Sequence, residues 1–187
     1  DFQIGVTTTS FDPGDNNGGV LVGSPAFVTN SDDYVSLLPS RARVGLQGSD
    51  QERGIGAALW ALSDVMTGPG GANEGFLRQN ADLLVIFVSD EEDCTDDGVL
   101  FGGRGSACYE DPDQLVPITD LAVDLRSLKA DPDDVTAAGI IGASDSTCDD
   151  AYPARRYRDL ATLTGGTVGD ICEGNWSELL ADLGMKA

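Results

Sequence analysis

Apolar residues gather along this chain in short blocks separated by turn-rich stretches. From Phe2 to Thr9 (FQIGVTTT), Phe2, Ile4 and Val6 alternate with Gln3, Gly5 and Thr7, a two-residue period that predicts a strand. The following FDPGDNNGGVLVGSP predicts an exposed excursion or hairpin, and AFVTN a short strand. A short helix is expected around Tyr34 to Leu38, stopping before Pro39. The clearest helix starts at Ser49, where Ser49 and Glu52 have the spacing of a capping box that satisfies free amides of the first turn. Ile55, Ala58, Leu59, Leu62, Val65 and Met66 then share one face, and GPGG from Gly68 to Gly71 ends the run.

Leu83 to Ser89 (LLVIFVS) is nearly continuous in apolar residues, as in a strand inside a parallel sheet. A helix over roughly Pro117 to Lys129 turns Ile118, Leu121, Leu125 and Leu128 inward, and VTAAGIIG from Val135 to Gly142 reads as a second buried strand. A third main helix spans about Ala154 to Leu163 and closes at Gly165 and Gly166. Thr167 and Val168 open a short strand, and Asn175 caps a last helix carrying Trp176, Leu179, Leu180 and Leu183. Strands alternating with helices predict an α/β fold, a doubly wound, mostly parallel sheet with helices on both faces. No repeat, low-complexity tract or linker divides residues 1–187, so a single domain is expected.

Composition narrows the function classes. With 32 acidic and 11 basic residues the net charge is −21, which repels nucleic acid and favours cations and basic partners. There is no histidine, so mechanisms resting on an imidazole base and zinc sites with a histidine ligand are excluded. No apolar run approaches the ~20 residues of a membrane helix. The chain opens on DFQIGV without a leader, which reads as a mature segment or fragment. The four cysteines form no CxxC pair, and nearest-neighbour disulfides Cys94–Cys108 and Cys148–Cys172 are expected. Each would close a loop and stabilise the domain by roughly 3 kcal/mol in the chain-entropy model. They place the chain in an oxidising, extracytoplasmic setting: cell surface, periplasm or medium.

The strand LLVIFVS runs directly into SDEEDCTDDG, which sets the chemical question. Ligands of doubly wound sheets bind beyond the carboxyl ends of the strands, where Asp90 falls. The start of the Ser49 helix is expected at the same rim. Oxygens of Asp90, Ser49 and Glu52 there would suit a hard cation, Mg2+ or Ca2+. Glu92, Asp93, Asp96 and Asp97 form either a second cation loop clamped by Cys94–Cys108 or solvated loop charge.

Several segments together resemble a von Willebrand factor type A domain of the cysteine-bearing kind found in bacterial surface proteins and lipoproteins. They are DFQIGVTTTS, GSDQERGIGAALWAL, NEGFLRQNADLLVIFVSDEEDC, VTAAGIIG and LATLTGG with its terminal helix. The resemblance implies a Rossmann-like fold with a metal-ion-dependent adhesion site that grips a partner's carboxylate. Asp90 matches the family's third metal loop; Ser49 or Glu52 stands where the second supplies a threonine. The first loop, Asp-x-Ser-x-Ser, is absent, and DSTCD at Asp145 to Asp149 does not replace it. In the family the first strand is central, and FQIGVTTT matches the second. The resemblance therefore implies an N-terminally incomplete domain, whose first strand is supplied upstream, was cleaved, or comes from another chain. Direct pairing of the Phe2 and Leu83 strands would contradict this.

The leading expectation is an extracytoplasmic, non-enzymatic adhesion or protein-binding module that uses a divalent cation. Two others stand beside it: a metal-dependent hydrolase or phosphoryl-transfer enzyme built on Asp90 and its neighbours, and a structural acidic domain with a decayed metal site. The absence of GxxxxGK[ST] counts against the phosphoryl-transfer reading.

Overall fold

The computed structural model of the chain describes residues 1–11, 18–45, 48–100, 103–143, 148–149, 151–173 and 175–184. The first half gives β1 (Gln3–Gly5), β2 (Phe27–Thr29), α1 (Tyr34–Ala42), α2 (Gly54–Ala61), α3 (Asp64–Thr67) and β3 (Leu83–Ser89). The second gives α4 (Ala107–Glu110), α5 (Ile118–Arg126), β4 (Val135–Ile141), α6 (Arg155–Leu163), β5 (Val168–Asp170) and α7 (Ser177–Gly184). The fold is mixed α/β.

A parallel sheet in the order β3-β4-β5 carries the core. β3 and β4 pair along their whole length, from Leu83 opposite Val135 to Ser89 opposite Ile141. Alternate residues of a strand face opposite sides, so Leu83 and Phe87 share a face with Val135, Ala137 and Ile141. There they pack with Ile55, Ala58 and Leu62 of the α2 region, Leu121 and Leu125 of α5, and Tyr157 and Leu160 of α6. The Phe87 and Tyr157 rings lie 4.8 Å apart. Leu179 of α7 packs on Gly169 of β5, beside Ile140 of β4, on the opposite face.

β1 and β2 form a separate antiparallel pair, with Gln3 opposite Thr29 and Gly5 opposite Phe27. Among the described residues no ladder joins this pair to β3. The two sheets are nevertheless tied at both ends. At the base, Arg78 donates to the Asp1 carbonyl at 3.0 Å, and the buried Lys129 ammonium donates to the carbonyls of Arg78 and Ala81. At the other end the Arg53 amide donates to the Thr9 carbonyl at 2.8 Å, and the Ser89 hydroxyl to the Glu52 carboxylate, also at 2.8 Å.

Four local outcomes differ from the sequence expectation. α1 runs through Pro39 to Ala42, its start capped by Asp33, whose carboxylate accepts from the Ser36 amide. The helix expected from Ser49 begins only at Gly54. The capping box does not form: the Ser49 amide donates to the Ser10 hydroxyl, and Glu52 reaches forward to Ser89. The long helix also breaks at Ser63, whose extended backbone turns α3 so that Val65 is 66% exposed while Met66 stays buried.

Other boundaries agree closely: β4, α5, α6 and the start of α7, where the Asn175 side chain accepts from the Ser177 amide. Gly165, at φ +75°, follows the end of α6 in the left-handed conformation that glycine adopts without strain. Both expected disulfides are present, Cys94–Cys108 and Cys148–Cys172, with Cα separations of 5.1 and 5.5 Å. No described helix is long and apolar enough to cross a membrane. The middle of the Gly-rich excursion (residues 12–17), residues 145–147 of DSTCD and the Leu183 side chain lie outside the described residues.

Asn73 fixes the Gly-rich excursion to the body. Fully buried, it donates to the carbonyls of Gly19 and Ala61 at 2.8 and 2.9 Å and accepts from the Leu21 amide at 3.0 Å. Asn73→Ala removes the partner of three backbone groups and is expected to destabilise the fold by about 3 kcal/mol, read from urea unfolding midpoints.

Candidate functional site: the acidic turn after β3

The turn that follows β3 carries its charges in two directions. Glu92 and Asp93 point inward, each toward the start of a helix. The Asp93 carboxylate accepts from the Ile55 amide of α2 at 2.9 Å and from the Thr95 hydroxyl at 2.7 Å, while Thr95 accepts from the Gly56 amide at 2.9 Å. The two oxygens of Glu92 accept from the Arg155 and Arg156 amides of α6, both at 2.9 Å. Neither helix has a capping side chain at its own N-cap residue. The free amides and positive dipole end of each helix are satisfied from this one turn.

Two arginines complete the neutralisation. Arg156 Nε lies 3.1 Å from Asp93, and its Nη2 donates to the Val116 carbonyl at 2.9 Å. Arg53, fully buried, lies 3.0 Å from Asp96, donates to the Phe11 carbonyl at 3.1 Å and to the Gln51 side chain at 3.0 Å. Asp96 also accepts from the Leu100 amide at 2.6 Å. The Cys94–Cys108 bridge sits within this network, and the Cys94 amide donates to the Glu52 carbonyl at 2.6 Å.

Close approach sets the geometry. A Cβ on Gly54 would lie 2.3 Å from the Tyr157 hydroxyl, so only glycine lets α2 begin this near α6. A Cβ on Gly142 would lie 2.0 Å from the Tyr152 carbonyl, and this contact brings the chain entering α6 against β4. The Tyr152 amide then donates to the Asp90 carbonyl at 2.7 Å. Tyr109 packs 6.1 Å from Tyr152, and its hydroxyl accepts from the Glu92 amide at 2.7 Å.

Burial perturbs the inner groups. It raises the Glu92 carboxyl above its usual range, against the opposing hydrogen bonds from the Arg156, Arg155 and Asp93 amides. It also pushes Tyr109 up to about 12, and Tyr157 well above the ordinary tyrosine value.

The outer charges form a rim at the carboxyl end of β3. The Asp90 side chain is exposed. Glu91 is raised first by partial burial and then by the negative charges of Glu52, Asp90 and Asp50, which lie close enough to act on it. Of the residues expected to hold a cation, Asp90 and Glu52 come to this rim together. The Ser49 hydroxyl accepts locally from the Gln51 amide at 3.2 Å.

Of the four residues expected to form a second cation loop, Glu92, Asp93 and Asp96 direct oxygens to helix amides and arginine, and Asp97 is exposed. Among the described residues no group of three or more acidic or cysteine side chains is placed to hold a metal ion. The described residues alone therefore do not make a closed metal centre.

No family model, curated protein or solved structure matches the chain.

Asp50, Glu91 and Ser89 at the rim, and the counter-charges Arg53 and Arg156, were not singled out from the sequence. Arg53 beside the expected helix start, and the paired Arg155 and Arg156 at the start of the Ala154 helix, were the available signal.

Two outcomes test this division of charge. Asp93→Ala leaves Arg156 and the α2 amides without their anion and is expected to cost about 3–5 kcal/mol in chemical unfolding, whereas Asp97→Ala stays within about 0.5 kcal/mol. Glu91 titrates above its usual range in the folded state, so folding favours its protonated form. The resulting penalty is present at neutral pH and disappears as pH falls below the ordinary carboxylate range. Glu91→Gln should therefore raise the melting temperature at pH 7, and the difference from wild type should shrink steadily in scans taken toward pH 4.

Proposed function

We propose that the chain is an extracytoplasmic, non-enzymatic protein-binding module that engages its partner through a divalent cation at the rim after β3. The observation that carries this reading is the placement of an exposed Asp90 beside Glu52, whose carboxylate reaches Ser89, with Asp50 and Glu91 near them at the carboxyl end of a parallel strand. Hard cations take oxygen ligands, and an exposed Asp90 beside Glu52 offers such ligands. The chain gathers too few of them to close a site. In this reading the remaining coordination comes from the partner, whose carboxylate the cation would bridge. That arrangement fits the resemblance of LLVIFVSDEEDC and its companion segments to a type A adhesion domain. The two disulfides support an oxidising, extracytoplasmic setting.

The test is calorimetric titration of Mg2+ and of Ca2+ into the chain and into Asp90→Ala. Binding at about 0.1–1 mM, the range of weak extracellular sites, is expected for the chain and should be lost in the variant. Equal binding by both proteins, or none by either, would overturn the assignment of Asp90.

A further inference from the structure

Arg41, in the last turn of α1, is 5% exposed, and its Nη1 is buried without a hydrogen-bond partner. Among the described residues its guanidinium forms no ion pair, whereas the other buried arginine, Arg53, pairs with Asp96 at 3.0 Å. Asp32 feels the Arg41 charge only weakly. The Thr29 amide and hydroxyl, donating to its Oδ2 at 2.8 and 2.9 Å, act on that carboxylate more strongly. A guanidinium does not shed its proton in a protein, so its burial is not relieved by neutralisation. A helix end favours a cation, but that gain is small beside the cost of an unpaired buried ion. With 32 acidic residues against 11 basic, the chain does not lack carboxylates to spend on it.

The cover over this group is thin. Gly23 lies against it at φ +107°, and a Cβ there would stand 2.9 Å from Nε and 3.1 Å from Cζ. Gly23, Ser24 and Pro25 are exposed, and none of them hydrogen-bonds to a described residue. Moving this stretch aside therefore breaks no hydrogen bond among the described residues.

We infer that Arg41 anchors a ligand site that takes a single carboxylate beneath residues 23–25. The planar fork of a guanidinium matches the two oxygens of a carboxylate. One negative charge cancels the one positive charge. The second charge of a phosphate would stay buried near Asp32 with no counter-ion. The Gly23 and Ser24 amides and the Ser24 hydroxyl offer further donors beside the guanidinium. A net charge of −21 turns polyanions away, so the ligand is a small acid or the carboxyl end of a peptide. None of these residues belongs to the acidic turn, and the inference does not depend on a cation at the rim.

The probe is sodium acetate, titrated at constant ionic strength into the isotope-labelled chain and followed by NMR. The Gly23 amide and Arg41 Nε–H signals should shift together and saturate, half-way at about 1–10 mM. Inorganic phosphate should act about tenfold more weakly or not at all. Arg41→Met keeps the reach of the side chain without its charge. It should abolish the Gly23 shift and, in acetate-free buffer, melt above wild type, because an unpaired buried ion has gone. Triglycine, with one chain-end carboxylate, separates the two sources. Tighter binding than acetate assigns the site to a peptide end, and equal or weaker binding assigns it to a small acid. Four results would overturn the inference. They are no saturable shift up to about 100 mM acetate, the same shift in Arg41→Met, phosphate binding as tightly as acetate, or Arg41→Met melting below wild type without acetate. The last would mean that Arg41 already has its partner within the chain.

Discussion

The structure depends on burying two adjacent anions. Glu92 and Asp93 leave the end of β3 and become the caps of α6 and α2, helices that start far apart in sequence and lack capping side chains of their own. A carboxylate buried alone would be prohibitively unfavourable. Here each is offset by helix amides, and Asp93 also by a guanidinium. The turn thereby fixes where α2 and α6 begin relative to β3, and it is this placement that packs Tyr157 against Phe87. The Cys94–Cys108 bridge and the Arg53–Asp96 pair hold the turn from the other side.

The same turn explains why strong negative charge can follow a core strand. Its carboxylates are sorted by position: three face helices or arginines inside, and the rest meet water and each other at the rim. The inner set is internally balanced and has structural work to do. The outer set lies at the rim, where the proposed recognition is placed. This sorting separates two roles that a count of acidic residues merges.

Much of the fold was legible in the sequence. Blocks such as LLVIFVS and VTAAGIIG are long enough, and apolar enough, that strand identity and parallel pairing followed from periodicity and element order. Helix starts were less legible. Ser49 and Glu52 have capping-box spacing, but side chains distant in sequence, Asp93 and Thr95, cap α2 instead, and no local pattern reports a cap supplied from elsewhere. The division of the acidic run was hidden for the same reason. Glu91 and Glu92 are chemically identical neighbours, and only the approach of α6 makes one a rim charge and the other an internal cap. Asp90 was readable because it directly follows the apolar run LLVIFVS; Asp50 was not, because its position depends on how the segment before α2 turns.

The Glu92 caps span 63 and 64 residues of sequence. Synthesis is vectorial, so the acidic turn exists well before the amides that neutralise it. Until Arg155 and Arg156 have been made, Glu92 lacks the helix amides it caps and Asp93 lacks its guanidinium partner. The turn therefore reaches its final packing only with the chain complete through α6, whose Tyr157 and Leu160 also close the core around Phe87.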